Sequence, residues 1–308
     1  MKKNDAILVA ELGATNARLA MTLDKINLIE IRNYPLNVFS SVNNLFEKYF
    51  KDCGLCLKRG IIGVAAPVLE EEVKFTNIDM DFNQKSLRNS IFKKELLVLN
   101  DLELQAYGLE AVIENDIIKI GSVKEEKKGS KVLISPGTGL GLAGIVNKEV
   151  VFTEGGHLEI PSNVQDFNYI FKKFEKERKR LPTFEDFLSG KGINYIFCYL
   201  SGSKLSPYSN EEILINKTDE NCIKTRKMIT FLLSVYLRYI ALIWGATSGV
   251  FITGSIANTL LKKEVHSSFR TEFENSMTMK QLLLKIPLYL IKDVNLGLKG
   301  GLILASRV

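Results

Sequence analysis

Val132-Leu133-Ile134-Ser135-Pro136-Gly137-Thr138-Gly139-Leu140-Gly141-Leu142-Ala143-Gly144-Ile145-Val146 reads as an apolar strand, a glycine turn and a returning apolar strand. Glu149-Val150-Val151-Phe152 follows as a third strand. The chain opens on the same unit: a strand at Ala6-Ile7-Leu8-Val9-Ala10, a turn at Gly13, a strand through Ala17-Arg18-Leu19-Ala20-Met21, and a third at Asn27-Leu28-Ile29-Glu30-Ile31. A unit that occurs twice predicts two duplicated α/β domains facing one another across a central cleft, each contributing one glycine turn.

Between the two units, Phe39, Val42, Phe46, Tyr49 and Phe50 recur at helical spacing with Ser40 or Ser41 available as a cap. Buried strands are expected at Ile61-Ile62-Gly63-Val64-Ala65 and at Leu96-Leu97-Val98-Leu99. The latter runs into Asn100-Asp101 and a helical stretch from Leu102 to about Glu114. Met228 to Ala246 is long and apolar but carries Arg238 at its middle, which is costly in a bilayer, so it reads as a core helix.

Composition narrows the function classes. The 308 residues are 46% hydrophobic and 25% charged with 7 Pro, which excludes disordered and fibrous classes and supplies a large core without staples. The 41 basic and 35 acidic residues leave a net +6 that is spread along the chain, which favours anionic small ligands over nucleic acid. In Lys172 to Arg180, interleaved glutamates make a solvated helix face of what could pass for a basic patch. Four cysteines, Cys53, Cys56, Cys198 and Cys222, are too few and scattered for a disulfide framework, and Cys53-Gly54-Leu55-Cys56 lacks the second pair a zinc site needs. A reducing cytoplasm fits. Asp5 and Glu11 bracket too short an apolar run for a signal peptide.

The glycine turns carry the first chemical signal. Without side chains, backbone N–H groups approach and cradle phosphate oxygens, and two such nests suit a nucleoside triphosphate; each turn taken alone is also a plain tight hairpin. Gly139-Leu140-Gly141-Leu142-Ala143-Gly144 matches GxGxxG, yet an extended segment follows it where a dinucleotide fold needs a helix, and no GxxxxGK[ST] loop exists. Asn100-Asp101 ends an apolar strand, where α/β folds place ligand groups; Asp101 is either a proton acceptor for an attacking hydroxyl or a helix N-cap. Glu154-Gly155-Gly156-His157 can point a carboxylate and an imidazole at a polyol, or be structural. Glu185, before Ser189-Gly190, otherwise reads as a first-turn charge complementing a helix dipole.

Together, Leu8-Val9-Ala10-Glu11-Leu12-Gly13-Ala14-Thr15-Asn16-Ala17-Arg18-Leu19, Leu99-Asn100-Asp101-Leu102, Pro136 to Gly141, Glu154 to His157 and Glu185-Asp186-Phe187-Leu188-Ser189-Gly190 resemble, in order and spacing, the bacterial ATP-dependent glucokinases. Gly249-Val250-Phe251-Ile252-Thr253-Gly254-Ser255-Ile256 resembles that family's adenosine motif, and Leu296-Gly297-Leu298-Lys299-Gly300 its C-terminal element. The resemblance implies an actin/hexokinase-like (ribonuclease H-like) α/β fold. A small domain would span 1–111, with about 295–308 returning to it, and a large domain 112–294.

It further implies transfer of the γ-phosphoryl of ATP to the 6-hydroxyl of glucose, the first step of glycolysis, by a cytoplasmic homodimer without nucleic-acid or membrane partners. Carried over by position, Asp101 is the catalytic base, and Asn77, Asn100, Glu154, His157 and Glu185 hold the sugar. Glu11, Gly13, Ala14, Thr15, Asn16 and Arg18, with Gly137, Thr138 and Gly139, hold the phosphates of ATP. Gly254 approaches the adenosine. Mg2+ arrives with ATP, with Glu11 near it through water.

A repressor/kinase group of sugar kinases has a related Glu-Gly-Gly-x-x-His segment, but its zinc cysteines follow the histidine closely, and the first cysteine after His157 is Cys198. Glu11 and Ala14 stand where the family has Asp and Gly, Ser255 stands where it has Gly, and Asp79-Met80 replaces the aromatic expected after Thr76-Asn77. If Ala14 needs positive φ, its Cβ is a steric penalty. The alternatives are a catalytically weak sugar-binding pseudokinase or regulator, and a kinase for a related hexose.

Overall fold

A computed structural model describes residues 6–68, 70–75, 78–123, 127–161, 167–292 and 295–307, and the chain divides into two compact units, 1–113 with 293–308, and 114–292. Asn77 lies outside the described residues.

The first unit is built on a five-stranded sheet. Strands β1 (Ile7–Leu12), β2 (Asn16–Thr22) and β3 (Ile29–Pro35) run antiparallel in sequence order. Helix α1 (Val42–Cys53), capped by Ser41, leads to β4 (Arg59–Val64), which lies parallel to β1 on its other side. A small hairpin of β5 (Glu72–Val73) and β6 (Phe82–Asn83) and helix α2 (Gln84–Ser90) precede β7 (Glu95–Asn100), parallel to β4, and helix α3 (Asp101–Gly108).

Every residue of β1 is buried, as befits a strand covered on both faces. Alternation sorts its side chains between those faces. Leu8, Ala10 and Leu12 pack into the cluster of Phe46, Tyr49 and Phe92, while Ile7 and Val9 face the opposite side, with Leu104 of α3 and with Leu298 and Leu304 of the C-terminal helix Leu296–Arg307. Glu11 continues the Ile7/Val9 face.

Two sequence expectations shift. The third strand lies at Ile29–Pro35 rather than Asn27–Ile31, because an edge strand is bounded by its pairing to β2 and not by hydrophobicity; the pairing carries a register shift between Leu19 and Met21, and Glu30 sits at φ 53°. The helix after Asn100 stops at Gly108 and closes in a short 3-10 turn, Leu109–Ala111, well before Glu114.

The second unit holds a six-stranded sheet. After β8 (Ile117–Lys119), strands β9 (Lys131–Pro136), β10 (Leu140–Val146) and β11 (Glu149–Thr153) again form an antiparallel run. Helices α4 (Asn168–Arg178), α5 (Phe184–Phe187), α6 (Gly190–Ser201), α7 (Asn210–Ile215) and α8 (Glu220–Trp244) precede β12 (Gly249–Ile252), parallel to β9. Helices α9 (Ser255–Leu260), α10 (His266–Phe273) and α11 (Lys280–Leu283) lead to β13 (Leu288–Ile291), which lies between β12 and β8.

Helix α8 is long and apolar enough to cross a membrane by length and composition. In this unit Leu232, Leu233, Leu237 and Ile240 belong to the core, and Arg238 donates to the backbone oxygens of Glu272 and Asn275. The charge in mid-helix is thereby satisfied within the protein. Segment 172–180 is largely the exposed face of α4, with Lys173 and Glu177 paired at 3.7 Å, although Arg180 binds Asp186 through two bonds of 2.7 Å.

Val146 pairs with Glu149 across a two-residue loop in which Asn147 and Lys148 have φ of 52° and 69°. Positive φ at both positions is the type I′ geometry that favours Asn-Gly. The left-handed conformation costs Lys about 1 kcal/mol, against roughly 0.5 kcal/mol for the greater freedom glycine loses on folding. Lys148→Gly is therefore expected to gain about 0.5 kcal/mol, read as a raised unfolding midpoint in urea. A lowered midpoint would show that the Lys148 side chain contributes more than its backbone costs.

Candidate active site

In the first unit the site residues gather around Glu11. Asn100 ends β7 with extended backbone, and its Oδ1 accepts from the N–H groups of Leu102 (2.8 Å) and Glu103 (3.4 Å). Its Nδ2 donates to Ala66 O at 3.2 Å. Asn100 is thus the N-cap of α3, and much of its polar capacity is spent on the fold. Asp101 shares the Leu102 N–H with it, accepting through Oδ1 at 2.9 Å. Burial and then the neighbouring Glu11 carboxylate push the Asp101 pKa up to about 7.

Glu11 is 6% exposed. Gln105 Nε2 donates to its Oε1 at 2.6 Å, and its cross-strand partner Arg18 reaches its Oε2 at 3.4 Å. Gly297 of the C-terminal helix lies against the same carboxylate, leaving no room there for a Cβ. Burial raises the Glu11 pKa against the opposing pull of Arg18. Gln105 was not singled out from the sequence. The available signal was its position one helical turn beyond Asp101, which puts both side chains on one face of α3.

In the turn after β1, the Gly13 N–H donates to Asn16 O at 3.0 Å, and Thr15 and Asn16 are exposed. Neither Gly13 nor Ala14 has positive φ. The steric penalty considered for Ala14 therefore does not arise, and neither does one for Ser255, whose φ is also not positive.

The second unit assembles the other group. Glu154 ends the run after β11, and a 3-10 turn, Gly155–His157, presents His157 Nε2 3.8 Å from Glu154 Oε2 and 3.8 Å from Glu185 Oε1. Glu185 rides on α5, whose start is fixed by a capping box of Thr183 and Asp186, with Arg180 clamping Asp186. The turn from Gly137 to Gly139 closes on itself, Gly137 N–H to Gly139 O at 2.8 Å. Gly254 follows β12 at φ 95°, and a Cβ there would stand 2.9 Å from Pro136 O. Both facts demand glycine, and the contact brings the segment of the adenosine motif beside the glycine turn.

Carboxylates beside an imidazole, a half-buried Asp with its pKa near neutrality, and glycine turns whose Thr15, Asn16 and Thr138 are exposed are the groups needed to bind a polyol, take a hydroxyl proton and hold phosphates. A family model described as Glucokinase matches residues 8–308.

The chain belongs to the glucokinase family.

As a member of this family it is an ATP-dependent hexose kinase. A glucokinase of Colwellia psychrerythraea is 30% identical over 319 residues, covering 98% of this chain and 96% of that protein. The crystal structure of a glucokinase from an Antarctic psychrotroph superposes with a TM-score of 0.80 at 25% identity, covering 99% of both chains. A glucokinase of Balamuthia mandrillaris, solved in complex with glucose, matches at a TM-score of 0.82 and 17% identity over 98% of this chain and 93% of its own, which carries the fold alone. The mixed α/β fold is that of these sugar kinases.

Proposed function

We propose that Asp101 is the general base of glucose phosphorylation, taking the proton of the 6-hydroxyl as its oxygen attacks the γ-phosphorus of ATP. The new O–P bond forms as the bond to the β-phosphate oxygen breaks, and ADP leaves. The observation that carries this reading is the place of Asp101 at the end of β7, half-buried beside the Glu11 carboxylate, where burial and that neighbour push its pKa up to about 7, close to the value at which a base is both ionised and effective.

Glu154, His157 and Glu185 hold the remaining sugar hydroxyls, as acceptors that a sugar of the wrong configuration would leave unpaired. The turns at Gly13 to Asn16 and Gly137 to Gly139 supply backbone donors to the phosphates, and Gly254 lets the adenosine approach. Mg2+ would enter as part of MgATP, held chiefly by the oxygens of the triphosphate and by water. Glu11 accepts one bond on each oxygen, from Gln105 and Arg18, and its remaining lone pairs would take a water of that ion. The backbone at Ala14 and Ser255 is unstrained, so these departures do not argue for eroded nucleotide binding. The four free cysteines accord with a cytoplasmic enzyme.

A coupled assay of ADP formation across a panel of glucose, mannose and glucosamine tests the reaction; absence of sugar-dependent turnover with every sugar would overturn it. Glu154→Ala is expected to weaken glucose binding about 10-fold or more while leaving ATP binding within about twofold, as seen by calorimetry. Equal loss of both ligands would instead mean that Glu154 supports the unit as a whole.

A further inference from the structure

The segment that carries Glu185 also grips the glycine turn. Glu185 Oε2 accepts the Leu140 N–H at 2.8 Å, and the N–H of Gly190, first residue of α6, donates to Gly137 O at 2.9 Å. Residues 185 and 190 therefore clip the two ends of the turn 137–140. The fit is close on one side only. A Cβ on Gly139 would stand 2.7 Å from Glu185 Oε2, whereas one on Gly137 would meet nothing within 4 Å. Neither glycine has positive φ, so an alanine at either position meets no backbone penalty, and the collision at 139 is with the Glu185 carboxylate itself.

We infer that Glu185 is a positioning residue that couples the sugar and phosphate sites: the glycine turn fixes one of its oxygens and thereby sets where the other meets a sugar hydroxyl. This rests on the reading of Glu185 as a sugar-holding residue. Oε2 is spent on Leu140, and Oε1, 3.8 Å from His157, is the oxygen left for the sugar. A sugar bound there restrains the turn through the same carboxylate, so binding of sugar and of nucleotide favour each other, each by the same factor.

The test is calorimetric titration with glucose in the absence of nucleotide. Gly139→Ala, a substitution in the phosphate turn, is expected to weaken glucose binding about 10-fold, and Lys191→Ala, exposed on the first turn of α6, to leave it within about twofold. Glu185→Ala should weaken it at least as much as Gly139→Ala, and adding Gly139→Ala to Glu185→Ala should cost little more, since both act through one group. Should Glu185→Ala weaken glucose binding while Gly139→Ala does not, the coupling is wrong and the assignment of Glu185 stands. Should Glu185→Ala leave glucose affinity intact, the assignment itself fails. A second measurement needs no variant: saturating glucose should tighten binding of the non-hydrolysable analogue AMPPNP to the unsubstituted protein by about threefold or more, and equal affinity with and without glucose would overturn the coupling.

Discussion

Asp101→Asn is expected to cut turnover by about 10²–10⁴-fold with little change in glucose affinity, because it keeps the shape and the Leu102 bond while removing the basicity. The same residue sets the pH dependence. With the Asp101 pKa pushed up to about 7 by burial and by Glu11, kcat/KM should fall as pH drops below about 7, since only the ionised carboxylate accepts a proton. Glu11→Gln removes the neighbouring negative charge, lowers the Asp101 pKa and moves that limb to lower pH. The stability effect has the opposite direction. The folded state holds the Asp101 proton more tightly than the unfolded chain, so between about pH 4 and about 7 this residue makes the parent less stable as pH rises, and the Asn variant lacks that loss. Steady-state rates from pH 5.5 to 9, with urea midpoints over the same range, check both. Turnover near that of the parent in Asp101→Asn would return Asp101 to a structural role at the start of α3.

The second large effect lies away from the chemistry. A Cβ on Gly300 would stand 1.7 Å from Leu104 O, so the C-terminal helix rests on the backbone of α3 at a distance that no side chain permits. Gly300→Ala must push apart the helix that carries Asp101 and Gln105 and the one that backs Glu11 with Gly297. A loss of about 3 kcal/mol is expected, at the upper end of overpacking, together with reduced turnover in the protein that remains folded. Ser306→Ala, exposed on the same C-terminal helix, should stay within about 0.5 kcal/mol. Urea unfolding measures both. An unchanged midpoint in Gly300→Ala would mean that the two helices are not held in this contact.

Much of the local structure was legible because it rests on short-range pattern. The apolar runs of β1, β9 and β10 and the glycine turns between strands are written within a dozen residues each, and so is a serine cap at 40 or 41, which fell to Ser41. The cap of α3, expected at Asp101 if that residue were structural, fell to Asn100, because only the backbone geometry at the end of β7 decides which side chain reaches the first N–H groups of the helix. The extended segment after Gly139-Leu140-Gly141 was enough to set aside a dinucleotide fold. What the sequence could not determine is where pairing and packing decide. The edge strand β3 took its bounds from β2 rather than from its own hydrophobic residues, and α3 ended where Gly108 meets the C-terminal helix. Whether Ala14 is strained depended on a backbone angle, which neighbouring residue types do not fix. Above all, only the tertiary structure turned Glu11 inward. Strand alternation put it on the Ile7/Val9 face, but the partners on that face, Gln105 and Gly297, are 94 and 286 positions further along the chain. In the same way, the carboxylate of Glu185 reaches a backbone N–H 45 positions earlier. Contacts of that separation follow from how helices are laid against a sheet, and a linear pattern holds no record of the lone oxygen or N–H group that waits at the far end.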